Sequence, residues 1–197
     1  NSLKTALGAV ALPAAFPSIV PASVFGTNAP SNRINIGAIG MGRISISYDM
    51  PSVLGLESAR VVAACDVDQK RAEGGKKFIN DHYSKKENKS YDGVKVFTDY
   101  RELLSHKDID AVVISTPDHW HGLLTIHAAR DGKDIYLQKP ASLTIAEGRE
   151  VSDAVKKAGV ILQMGSQQRS LYPWPQFHKA CELVRNGRIG KLEKIFI

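Results

Sequence analysis

The stretch Asn35-Ile36-Gly37-Ala38-Ile39-Gly40-Met41-Gly42-Arg43-Ile44-Ser45 decides the fold. Residues 34–39 are apolar or small and read as a buried strand, and residues 41 to about 54 read as the helix after it. Between them lies a glycine turn with the spacing G-x-G-x-x-G, except that Ser45 stands at the third glycine. The first glycine of such a turn allows the chain to reverse tightly, and the second lets backbone approach a pyrophosphate. The helix N-terminus then offers free N–H groups and partial positive charge to the phosphates. The third position governs helix-to-strand packing, where serine is small enough to fit. A glycine turn alone is weak evidence, but a strand before it and a helix after it are the context that supports a nucleotide site. Gly37, Gly40, Met41, Gly42, Arg43 and Ile44 are therefore the expected cofactor-binding residues of the turn.

Outward from the turn, the same alternation recurs. Residues 59–65 read as a second strand and 68 to about 82 as a second helix. A short strand comes next at 94–97, with Thr98 or Asp99 capping a helix around 100–104. Residues 110–115 form a near-continuous apolar strand, as expected in a parallel sheet covered on both faces. Asp118 is placed to cap a helix reaching about 130, closed by a left-handed turn at Gly132. Residues 135–137 read as a strand. Thr144 and Glu147 have capping-box spacing and open a helix ending near Gly159, before a further strand at 160–164. Strands alternating with helices imply an α/β fold, a Rossmann-type doubly wound parallel sheet with right-handed crossovers. This domain is expected over 33–170. Residues 174 to about 186 read as a junction helix, Gly187 and Gly190 as turns, and 192–197 as a strand. A terminal apolar strand would be an unprotected edge, so 171–197 are expected to open a truncated C-terminal α/β domain.

Residues 1–32 are a separate segment. They are apolar with Lys4 in front, but Pro13, Pro17 and Pro21 exclude a continuous membrane-spanning helix. The segment resembles the tail of an export signal, and Asn1-Ser2-Leu3-Lys4 resembles the residues just after the arginine pair of a twin-arginine signal. Export to a bacterial periplasm is the expectation. The alternative is a cytoplasmic protein with an arm that packs on a neighbouring subunit.

Composition narrows the function classes. The 197 residues carry a formal charge of +6, yet Lys and Arg are scattered and no basic stripe with interleaved aromatics accompanies them. Nucleic-acid binding is therefore set aside, and the run Lys85-Lys86-Glu87-Asn88-Lys89 reads as a polar loop. Cys65 and Cys181 lack C-x-x-C spacing and read as buried thiols rather than as a disulfide or zinc site. The pair His119-x-His121 has no further ligand at helical spacing, so no metal site is expected.

Three further places carry chemistry. Asp66 ends the second strand roughly twenty residues beyond the turn, where a carboxylate accepts hydrogen bonds from an adenosine ribose. With Asp68 beside it, a 2′-phosphate is disfavoured, which favours NAD, while Arg43 and Arg71 keep NADP open; a helix cap is the plainer reading of Asp66. Ser115-Thr116-Pro117 with His119 and His121 lies just past a central strand, and ligands of open α/β sheets lie beyond such strand ends. A cofactor or substrate contact is expected of His121, with a helix-start histidine as the alternative. Gln138-Lys139-Pro140 ends the next strand and points toward the same cleft. A partly desolvated lysine there can take a hydroxyl proton while hydride leaves for a nicotinamide, and a cis Lys139–Pro140 bond is conceivable.

Taken together, these residues resemble the glucose–fructose oxidoreductase/inositol dehydrogenase (Gfo/Idh/MocA) family, in particular its secreted bacterial members. The resemblance runs from about residue 33 to the chain end. It rests on Asn35–Gly42, on Thr116-Pro117 with His121, on Lys139-Pro140, and on Gly165-Ser166-Gln167-Gln168-Arg169. It implies an N-terminal Rossmann domain, a C-terminal α/β domain that mediates homo-oligomerisation, and oxidation of a carbohydrate or cyclitol hydroxyl with NAD or NADP. In the family's Glu-Lys-Pro motif the lysine contacts the reacting hydroxyl, which carries over to Lys139. Gln138 departs from that glutamate and removes a charge. Arg169 falls in a segment that reaches substrate in the family. Two other readings stay open: a glycosidase using retained NAD, and a non-catalytic dinucleotide-binding protein or inactive fragment.

Overall fold

The computed structural model describes residues 32–169 and 175–194. Six strands form one sheet: β1 (Ile34–Ile39), β2 (Ala59–Cys65), β3 (Lys95–Phe97), β4 (Ala111–Ile114), β5 (Asp134–Leu137) and β6 (Leu162–Met164). Their spatial order is β3-β2-β1-β4-β5-β6, and every neighbouring pair is parallel. The chain starts in the middle, steps outward to β3, then returns past β1 to build the other half. The order therefore reverses between β1 and β4, where a doubly wound sheet leaves a crevice at its carboxyl edge.

The central strands are apolar on both sides because both sides are covered. Helices α1 (Met50–Leu54) and α2 (Gln69–Glu87) pack over Ile36, Ala38, Val61 and Val113. Helices α3 (Tyr100–Ser105) and α4 (His121–Arg130) cover Ile39, Ile114 and Ile135, and α5 (Ile145–Ala158) packs beside α4. Three helices start at side-chain caps. Asp68 accepts from the amides of Lys70 and Arg71, Asp99 accepts from that of Arg101, and Thr144 with Glu147 forms a complete capping box. Gly132 and Gly159 close α4 and α5 with positive φ.

Several elements differ from expectation. The helix after the glycine turn is not uniformly α: residues Ser45–Asp49 form a wide π turn in which the Met50 amide donates to the Ser45 carbonyl. Pro51 comes directly after and lacks the N–H that an α-helix would use at that point. Helix α2 reaches Glu87, so Lys85, Lys86 and Glu87 are its last turn and not a polar loop, with Asn88 as the left-handed cap. The extension is held by contacts that composition does not reveal. Glu87 pairs with Arg60 at 2.9 Å, Lys86 with Glu57 at 3.2 Å, and the Arg60 guanidinium lies 4.4 Å from the ring centroids of both Tyr83 and Tyr91.

Asp118 does not cap α4 through its side chain. It begins a 3-10 turn, Asp118–Trp120, set by the extended backbone of Pro117. Helix α6 (Pro175–Arg185) falls where a helix was expected, and Gly187 and Gly190 have positive φ. Residues 192–194 form no strand, and Cys181 is exposed rather than buried. The leader expected over 1–32, apart from residue 32, and the remainder of the expected terminal strand lie outside the described residues. Among the described residues no helix is long and apolar enough to cross a membrane.

Candidate functional site: a crevice at the carboxyl edge of the sheet

At the end of β1 the chain passes through Gly40 with φ +88. Its amide donates to the Cys65 carbonyl at 2.8 Å, and the Ser115 amide donates to the Ile39 carbonyl at 2.8 Å. A Cβ on Gly40 would stand 2.8 Å from both the carbonyl carbon and the carbonyl oxygen of Ser115. Backbone alone fits between the ends of β2 and β4. At Gly42 the opposite holds, because a Cβ there would meet nothing within 4 Å among the described residues. Gly42 opens onto a cleft of about 620 Å³ that also borders Arg43 and Ile44, the first residues of the helix. The amides of a first helical turn have no partner within their own helix, so this wall presents N–H donors.

Two members of the predicted turn have other work. Gly37 lies inside β1, where a Cβ would come within 2.7 Å of Leu103, so it admits α3 against the sheet and is not among the residues that line the cleft. Met41 is buried with its side chain over Gly75 of α2, and its amide donates to Asp66 Oδ2 at 2.9 Å. Ser45, at the third glycine position, is buried with its hydroxyl 3.9 Å from the Met41 sulfur, as its packing role required.

Asp66 sits at the end of β2 and lines the cleft. Its Oδ1 accepts from the Asp68 amide at 3.0 Å, so one oxygen braces the glycine turn and the other the start of α2. Each oxygen keeps a second lone pair for a ligand hydroxyl. Beside it, burial pushes the Cys65 thiol up to about 12, helped by the charges of Asp66, Asp99 and Glu102. Cys65 borders the cleft but stays a neutral thiol.

On the β4 side, Ser115, Thr116 and Pro117 line the cleft. The Ser115 hydroxyl points inward and donates to Asp49 at 2.6 Å. Thr116 Oγ1 is buried with no partner among the described residues, an orphan polar atom beside the cleft. His121 starts α4 and is turned into the protein. The residue is 0% exposed, and its two ring nitrogens face the carbonyls of Thr116 (2.9 Å) and Pro140. Both nitrogens are engaged within the protein. It ties the loop after β4 to the turn after β5. His119 is exposed beside Trp120 and is not among the cleft-lining residues.

The turn after β5 holds Gln138, Lys139 and Pro140. Ile114 is the register partner of Leu137, so Ser115 and Gln138 leave the sheet side by side. The Lys139–Pro140 bond is cis. Gln138 is buried, donates through Nε2 to Asp49 at 3.0 and 3.2 Å, and accepts from the Lys139 amide at 3.0 Å. Lys139 itself is exposed, so this chain alone does not desolvate it. Arg169 ends a 3-10 turn, Gln167–Arg169, beyond β6 and is exposed. It lies past the far edge strand and is not among the residues that line the cleft.

Asp49 is the residue the sequence did not reveal. The π turn carries it under the crevice, where it is 6% exposed. Burial and this carboxylate together push the neighbouring Tyr136 phenol above its usual value. Among the described residues, no group of three or more His, Cys, Asp or Glu side chains is placed to hold a metal ion.

A switch-point crevice with a glycine turn, an acidic residue ending β2 and donors on a helix N-terminus defines a dinucleotide-binding domain. Residues 34–166 match the family GFO_IDH_MocA, "Oxidoreductase family, NAD-binding Rossmann fold", and the chain belongs to that family. It is 30% identical over 166 residues to scyllo-inositol 2-dehydrogenase (NAD(+)) of Bacillus subtilis, covering 81% of this chain and 42% of that protein. It is 33% identical over 156 residues to a glycosyl hydrolase family 109 protein of Shewanella baltica, covering 75% of this chain and 33% of the relative. Among solved structures, KijD10, a 3-ketoreductase from Actinomadura kijaniata in complex with NADP, superposes with a TM-score of 0.67 at 21% identity. That match covers 81% of this chain and 46% of the other and shows the shared fold. The chain thus spans less than half the length of these relatives.

Proposed function

We propose that the whole protein is an NAD-dependent oxidoreductase acting on a hydroxyl of a sugar, sugar derivative or cyclitol. The observation that carries this reading is the joining of two strand-end loops. His121 binds the loop that lines the nucleotide cleft to the turn that presents Lys139.

The residues fit a dinucleotide. Gly42 leaves open space where a side chain would intrude, the helix start supplies N–H donors, and Thr116 Oγ1 lacks a partner among the described residues. The pyrophosphate would lie against Gly42, Arg43 and Ile44, and the adenosine ribose against Asp66. The buried Asp66 carboxylate, with Asp68 next to it, would repel a 2′-phosphate, which supports NAD over NADP. When bound, the nicotinamide supplies the hydride acceptor. Lys139 is exposed, and its side-chain amine would hydrogen-bond the substrate hydroxyl and, in its neutral form, take the hydroxyl proton as the hydride leaves for the nicotinamide. Arg169 is offered as a more distant substrate contact.

The test is to mix the full-length protein with NAD and a panel of sugars and cyclitols, following absorbance of the reduced cofactor. Reduction by at least one compound, abolished in Lys139→Ala, is expected. Unchanged turnover in Lys139→Ala would remove Lys139 from its role. A second reading, a glycosidase retaining its NAD, is favoured by the glycosyl hydrolase family 109 relative. It predicts cleavage of aryl glycosides with no net change in reduced cofactor.

A further inference from the structure

Beneath the cleft lies a closed polar network that the dinucleotide reading does not require. Asp49 is buried, and among the described residues no cationic side chain is hydrogen-bonded to it or paired with it. Its carboxylate receives the Ser115 hydroxyl from the end of β4 and the Gln138 amide from the end of β5. Gln138 then turns its own oxygen to the Lys139 amide. One carboxylate on the π turn therefore joins both strand ends, and its reach finishes on the peptide of the residue placed in the chemistry.

We propose that Asp49 is a positioning residue, which through Gln138 fixes the Lys139 peptide beside the Ser115–Pro117 loop that lines the cleft and carries the negative charge that residue 138 lacks. The chemistry of the two side chains is complementary and directional. An acid on the helix requires an amide on the strand, since only the amide has a donor for Asp49 and an acceptor for the Lys139 N–H. An ionised glutamate at 138 would face Asp49 with two carboxylates at hydrogen-bond distance, and the pair would separate unless it took up a proton.

An exchange rule results. With asparagine at 49 and glutamate at 138, the asparagine NH₂ donates to the glutamate. The asparagine oxygen still accepts from Ser115, and the glutamate still accepts from the Lys139 amide. The network and its single negative charge survive, with the charge moved from helix to strand.

The proton-transfer role of Lys139 rests on the proposed function, but the placement of its peptide is testable without it. Four forms of the full-length protein are compared: wild type, Asp49→Asn, Gln138→Glu and the double variant. Hydrogen exchange of the Lys139 amide, thermal unfolding, affinity for NADH and turnover of NAD with the sugar and cyclitol panel are measured on each. Exchange at Lys139 should accelerate about tenfold in Gln138→Glu, the order expected for one weakened buried hydrogen bond, with a lower Tm. The double variant should recover both, and its NADH affinity should return to within a few-fold of wild type. Should Gln138→Glu not fold, Asp49→Asn against the double variant gives the same comparison, with faster Lys139 exchange in the single variant.

A double variant no better than Gln138→Glu would overturn the proposal, as would unchanged Lys139 exchange in both single variants. Recovery of exchange with no turnover in any form would instead count against the proposed function alone.

Discussion

Gly42→Ala, set against Gly40→Ala, separates folding from ligand binding at the two glycines of one turn. At Gly40 the φ of +88 and a Cβ 2.8 Å from the Ser115 carbonyl leave a methyl group no room. The left-handed conformation alone costs about 1–2 kcal/mol for an L-residue, and the obstructing atoms are backbone that cannot rotate aside. A total of about 3 kcal/mol is expected, and β1 and β4 must part where the crevice begins. At Gly42 no described atom lies within 4 Å of the added methyl and φ is not left-handed, so the fold should change by no more than about 0.5 kcal/mol. That methyl occupies the space against which a pyrophosphate would rest, and displacing a ligand from unpaired amides should cost at least about tenfold in affinity. The assay is thermal unfolding of each variant together with fluorescence titration by NADH. Gly40→Ala should lose stability and binding together, whereas Gly42→Ala should keep its Tm and lose binding. A Gly42→Ala protein that binds NADH as wild type does would refute the placement of the phosphates.

Other consequences stem from single contacts. Asp66→Ser should lower NADH affinity and shift the NADH-to-NADPH ratio toward NADPH, because the carboxylate both braces the Met41 amide and repels a 2′-phosphate; paired titrations read both. Thr144→Ala should lower stability by about 1 kcal/mol through loss of the capping box that opens α5, measured by urea unfolding. The Cys65 thiol is raised from 9.0 to about 12 in the fold by burial. The unfolded chain therefore ionises first as pH rises, so the thiol's contribution is intact below the unfolded value of 9.0 and is lost as pH climbs toward about 12. Unfolding curves taken from about one unit below that lower value to about two units above it should show a decline that is smaller in Cys65→Ala. Cys65 should also resist iodoacetamide until the chain unfolds.

The parts of the fold legible in the sequence were those where local chemistry and tertiary packing agree. The strand at 34–39, the strand at 59–65, the capping box at Thr144 and the left-handed Gly132 all combine a local preference with a place in the packed sheet and its helices. The polar run at 85–89 misled because its helix is held by Arg60, Tyr83 and Tyr91, two of which come from other segments. Motif spacing marked residues that the fold brings to one cleft, Gly42, Asp66 and Thr116 among them, but not the direction of each side chain. His121 sits one residue past a turn that rotates it inward, and Met41 comes after a left-handed glycine and is aimed at α2. Asp49 left no trace at all, since a lone aspartate two residues before a proline reads as a surface residue until a π turn carries it under the crevice.

The most direct test of the account is a crystal structure of the full-length protein with bound NAD. The pyrophosphate is predicted on the amides of Gly42, Arg43 and Ile44, the ribose on Asp66, and the nicotinamide beyond Thr116 on the side of Lys139. A dinucleotide bound elsewhere, or reversed so that its adenine lies beside Lys139, would contradict it.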